Sequence, residues 1–224
     1  MTTALVFLSA VMVIVVGWLV RRTLNVSPWL PQGAAEIARG DGALPMLPVQ
    51  VGLGVFLAVA TSLFALLISA YHMRMVETDW TTLPLPRVLW LNTVVLILAS
   101  VAMQWTLLVA RRGQMDAVKL GLTASGVFTF AFLAGQIWAW QQLNAAGHFS
   151  AANPAYAFFL LLTALHGIHL MGGLWVWART TARVLRDGVD IGKVCLSVEL
   201  CTVYWHFLFL VWAVLFAVLL NTNQ

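Results

Sequence analysis

The sequence predicts an all-α, polytopic membrane protein of about six transmembrane helices. Three observations carry that prediction. Of the 224 residues, 62% are hydrophobic and only 9% are charged, and mean hydropathy is +0.91, more apolar surface than a soluble globule can hide. Apolar stretches recur along nearly the whole chain at about the twenty-residue length that crosses a hydrocarbon core of roughly 30 Å. The Lys and Arg residues gather in the short intervals between those stretches, where membrane topology places them.

The spans fall at residues 4–20, 51–71, 87–110, 121–143, 157–178 and 195–220. The first is the shortest. No basic segment precedes it and the Arg21–Arg22 pair follows it, the reverse of a signal peptide, so it reads as a retained helix. Residues 1–22 are therefore expected to be an N-terminal transmembrane helix. Residues 23–50, with Pro28, Pro31, Pro45 and Pro48 and no sustained apolar run, read as a cytoplasmic linker, and 51–224 hold the other five spans. In the second span Gly54, Ala58, Thr61, Ala65 and Ser69 recur every three or four residues, a small-residue face that admits a neighbouring helix. Trp90 and Trp105 bracket the third span. Trp138 and Trp140 mark one end of the fourth, and Trp175 and Trp177 one end of the fifth, positions typical of interfacial anchors.

Charge then orients the chain. Placing Arg21, Arg22, Arg39, Arg111, Arg112, Lys119, Arg179, Arg183, Arg186 and Lys193 on one side leaves only Arg74 and Arg87 on the other. That asymmetry makes the basic side cytoplasmic and puts both termini outside. The net charge of +4 does not point to nucleic acid, because the basic residues form no patch interleaved with aromatics. Cys195 and Cys201 lie six apart on one span, point in different directions and cannot pair there.

Polar side chains within spans ask for a partner or a purpose. Glu199 is the acid expected inside a span, about five residues into the last one and so roughly 7 to 8 Å below its end; it reads as a proton or lipid site, or as a carboxyl bonded to a neighbouring helix. His166 and His169 share a face, with roughly 5 to 6 Å between Cβ atoms, and both fall near the depth of His206. Such a set is either an interhelical hydrogen-bond cluster or, with two histidines on facing helices, a haem ligand pair. Asn92, Thr93, Ser100 and Gln136 read as interhelical donors and acceptors. No nucleotide fingerprint, phosphate loop or nucleophile triad is present.

An ordered set of short motifs adds a resemblance. Tyr204-Trp205-His206-Phe207, with Glu199 before it and Val211-Trp212 after it, resembles the last helix of cytochrome c oxidase subunit III, and His166-Gly167-Ile168-His169 resembles the helix before that. Leu91-Asn92-Thr93, Ala99-Ser100 and Trp105, then Gln136, and Phe56-Leu57-Ala58 with Ala70-Tyr71, match in the family's order across residues 51–220. The resemblance implies a five-helix bundle without catalytic residues, metal or cofactor of its own. It would be docked on oxidase subunit I, which holds haem and copper, in a complex with subunit II, and would bind membrane phospholipid in a cleft beside the bundle. The complex would reduce O2 to water and pump protons in the respiratory chain of a bacterial inner membrane. Family members have two helices before this bundle or none, whereas this chain has one. It also departs at Ala60, Ala139 and Phe209, where the family often has acids, which argues against a proton path through the subunit and leaves Glu199 as the remaining acid. A related subunit of a nitric oxide reductase or quinol oxidase, and a free-standing bis-histidine cytochrome, are the competing readings.

Overall fold

The computed structural model of the chain describes residues 48–145, 153–185 and 191–222. Five helices run through them: α1 (Pro48–Arg74), α2 (Val88–Arg111), α3 (Met115–Ala145), α4 (Pro154–Val184) and α5 (Ile191–Thr222). All five are long and apolar enough to cross a membrane. The expected N-terminal span at 4–20, and the linker as far as residue 47, lie outside the described residues, so the expected six helices stand here as five.

Each described helix outruns its apolar stretch at one end or both. The expected linker ends inside α1, which starts at Pro48; α3 starts at Met115 where 121 was expected; α4 runs to Val184 where 178 was expected. Hydropathy registers only the part in hydrocarbon, while the backbone gains by staying helical through the polar interface, where side chains and water satisfy its ends. Local chemistry sets the ends. Asn153 caps α4 by accepting the Ala155 N–H at 3.0 Å, with Pro154 at the first helical position, where a missing N–H costs nothing. Gly113, at φ 71°, ends α2: its N–H reaches Ala110 O at 3.0 Å and that of Gln114 reaches Val109 O at 3.1 Å, a left-handed turn that glycine adopts without strain.

Two compact units are distinguished, one ending at Ala65 and one comprising Leu66–Gln224. The first contains α1 as far as Ala65. Every interaction described below lies in the second. There α2 packs on α3 and α5, and α4 packs on α3 and α5, so the four helices close a ring. The largest fully buried side chains on these four helices are Trp205, Trp212, Phe132, Phe159 and Phe207. Beyond α1, Arg74 Nη1 donates to Asp79 at 2.6 Å, and that bond holds the exposed Asp79 carboxyl below its usual range.

The tryptophan pairs correct the expectation that both members are anchors. Trp138 and Trp175 are exposed, but Trp140 Nε1 donates to Thr163 at 3.1 Å and Trp177 Nε1 to the Leu122 carbonyl at 3.0 Å. Residues two apart stand about 200° apart around a helix, so one ring of each pair faces outward and the other ties α3 to α4.

Candidate functional site

Interhelical hydrogen bonds reach α5 from α2, α3 and α4, and others join α2 to α3 and α3 to α4. Threonines dispose of their own hydroxyls first: Thr93, Thr106, Thr129, Thr163, Thr180 and Thr202 each donate to the carbonyl four residues back. Their oxygens remain free to accept, which lets them serve as interhelical sockets in a medium without water.

Four rungs run down the antiparallel seam between α2 and α5. Trp212 Nε1 donates to Thr93 Oγ1 at 3.0 Å. The His206 ring lies between Ser100 Oγ, 2.5 Å from Nδ1, and Gln104 Oε1, 3.0 Å from Nε2. Thr202 shares its one hydroxyl proton between the Val198 carbonyl on its own helix, at 2.8 Å, and the Met103 carbonyl across the seam, at 3.2 Å, and Arg111 Nη2 donates to Glu199 Oε1 at 3.3 Å. An amide oxygen only accepts, so His206 carries its proton on Nε2 and accepts the Ser100 hydroxyl on Nδ1. This serine–histidine pair lacks the carboxylate that would make the imidazole a strong base, since Gln104 stands in that place; the arrangement orients side chains and activates none.

Facing α4, the Tyr204 hydroxyl donates to the His169 carbonyl at 2.8 Å, and His166 Nε2 meets the Leu208 carbonyl at 3.1 Å. The His166 ring packs edge-on to Phe132, centroids 5.6 Å apart, and tilted against Trp212 at 5.3 Å. His169 turns its Nδ1 to the Leu165 carbonyl at 2.8 Å. The three histidines therefore do different jobs. His206 spends both ring nitrogens on α2, while His166 bonds to the α5 backbone. Toward α3, Trp205 Nε1 donates to Thr129 at 3.1 Å. Across α2 and α3, Asn92 Nδ2 donates to Gln136 Oε1 at 3.3 Å, and the Asn92 amide oxygen sits where a Cβ on Gly135 would collide with it. Phe207 fills the core, and a Cβ on Gly167 would touch only Leu133 Cδ2 at 4.0 Å, so crowding does not demand that glycine.

Most of the residues singled out in the sequence thus meet one another or a neighbour: Asn92 with Gln136, Thr93 with Trp212, Tyr204 with His169. Sequence reasoning missed Gln104, Thr129 and the role of Arg111. Gln104 could have been found, being one helical turn from Ser100 on the same face. Glu199 is also deeper along its helix than expected, because α5 begins at Ile191 and by rise the carboxyl lies about 12 Å in.

Among the described residues, no three His, Cys, Asp or Glu side chains are grouped to hold a metal ion. Nor does haem fit these histidines: the ring of His166 is enclosed by Phe132, Trp212 and the α5 backbone, and both nitrogens of His206 are engaged.

Residues 48–222 match the family model described as Cytochrome c oxidase subunit III. The chain is 27% identical over 176 residues to the probable cytochrome c oxidase subunit 3 of Mycobacterium bovis, covering 76% of this chain and 86% of that one. To the cytochrome c oxidase subunit 3 of Thermostichus vulcanus it is 24% identical, covering 75% and 85%. It is also 23% identical over 126 residues to the cytochrome bo(3) ubiquinol oxidase subunit 3 of Buchnera aphidicola, covering 56% and 61%. With a family match that spans all five described helices, the chain belongs to the cytochrome c oxidase subunit III family.

Proposed function

We propose that this chain is the non-catalytic subunit III of a haem-copper terminal oxidase in a bacterial inner membrane. It would dock on catalytic subunit I, beside subunit II, in a complex that reduces O2 to water and pumps protons. The observation that carries the reading is where the polar residues go: His166, His206, Asn92, Gln136, Tyr204 and Trp212 all bond between helices of the same chain. A subunit built this way supports its partners mechanically. Haem and copper belong to subunit I in this reading, which supplies all the redox chemistry. The relatives that cover most of the chain are named for cytochrome c, which we take as the electron donor; the shorter ubiquinol oxidase match keeps quinol as the second reading.

Purification in mild detergent tests this directly. Haem-containing subunit I and subunit II are expected to stay bound, and the isolated chain is expected to lack a Soret band. A Soret band in the isolated chain, or co-purification with a nitric oxide reductase and no oxidase subunit, would overturn the proposal.

A further inference from the structure

Two nitrogens in the bundle core remain to be accounted for. Gln136 is 3% exposed and His166 is wholly buried, yet Gln136 Nε2 and His166 Nδ1 have no hydrogen-bond partner. Buried polar atoms are rarely left so, because each forfeits the bonds it would make in water. The far end of each side chain sets what the orphaned end can do. Gln136 Oε1 accepts from Asn92, which leaves Nε2 as a donor. His166 Nε2 faces the Leu208 carbonyl, a group that only accepts, so the proton sits on Nε2 and Nδ1 presents a bare lone pair.

One pair of rings relates the two residues. His166 packs on both Phe132 and Trp212, which meet edge-on at 4.9 Å. Gln136 stands one turn beyond Phe132 on the same face of α3, held by Asn92, whose neighbour Thr93 receives the Trp212 N–H. We infer that an ordered internal water is bound here, accepting from Gln136 Nε2–H and donating to His166 Nδ1. The chemistry of the two ends selects it. A cation would face amide hydrogens, an anion would face the imidazole lone pair, and an apolar occupant would satisfy neither. A small molecule that both donates and accepts meets both, and two partners are enough to hold a buried water. Such a water joins α3 to α4 and fixes His166 in one tautomer. The inference does not rest on the oxidase reading.

The test uses the full chain in lipid nanodiscs, labelled with nitrogen-15 histidine, with solid-state NMR transfer from water protons to the ring nitrogens. In the wild type, His166 Nε2 is expected to be protonated and Nδ1 to be unprotonated, hydrogen-bonded and in contact with water. Gln136→Leu is expected to keep the Nε2 proton and lose the water contact at Nδ1. No water transfer to Nδ1 in the wild type, or transfer unchanged in Gln136→Leu, would overturn the inference. Should that variant not fold, a wild-type density map fine enough to show ordered water decides. A peak within about 2.7–3.2 Å of both nitrogens supports the site, and a direct contact between Gln136 Nε2 and His166 Nδ1, or a peak at one nitrogen alone, rejects it.

Discussion

A lone carboxylate inside a span costs roughly 2.5 to 3.5 kcal/mol, and for Glu199 the Arg111 guanidinium, at 3.3 Å, offsets part of that cost. The Arg111 side chain is 40% exposed, so the pair is screened and contributes at most about 1 kcal/mol. Glu199→Gln keeps an acceptor for Arg111 and is expected to leave oxygen consumption by the assembled complex unchanged across pH. Glu199→Leu removes the acceptor and is expected to lower the amount of this subunit retained. A Gln variant that is fully assembled but slow, most of all at high pH, would instead assign Glu199 to proton handling. His206 is half-buried on the same seam. His206→Leu strips Ser100 and the half-buried Gln104 of their shared partner, and the buried Ser100 hydroxyl left unsatisfied costs about 1 to 3 kcal/mol. The expected outcome is a lower unfolding temperature with the visible spectrum of the complex unaltered; loss of one haem signal while the subunit stays bound would make His206 a ligand after all.

Between elements, close approach is bought by the absence of a side chain at Gly135, where Asn92 lays its amide against the α3 backbone. Gly135→Val is expected to push Asn92 off Gln136 and to destabilise the α2–α3 contact by about 1 to 3 kcal/mol. Repeating the change in an Asn92→Ala background is expected to cost measurably less, because the colliding group is gone. Thermal unfolding of the four proteins in detergent measures the coupling, and strict additivity would mean that Gly135 serves some other contact. At this scale the sequence was only partly legible. The existence of α1 to α5 follows from five apolar stretches, but the termini do not, because polar residues such as Gln114, Asp116 and Lys119 lie at or within the ends of helices that hydropathy does not register. The tryptophan pairs show the same limit: spacing says that Trp138 and Trp140 face opposite ways, and does not say which one faces in.

For the molecule as a whole, the ten-to-two division of basic residues leads to the prediction that residues 111–120 and 179–193 face the cytoplasm. In a Cys195→Ser, Cys201→Ser background, a cysteine at position 115 is expected to resist an impermeant reagent in sealed cells and to react once they are opened. Ready labelling from outside would reverse the orientation. Class, span number within the described residues and family were all decided by the sequence. Long apolar stretches have no other stable state in lipid than a helix, and the motif order from Asn92 to Trp212 survives whatever the packing. What only the tertiary structure decided is how each helix is turned about its axis. Lipid-facing and core-facing surfaces are both apolar here, so no amphipathic period marks the inner face. Depth alone made His166, His169 and His206 look like one cluster, and rotation sent His206 to Ser100 and Gln104, His166 to the Leu208 carbonyl, and Glu199 to Arg111.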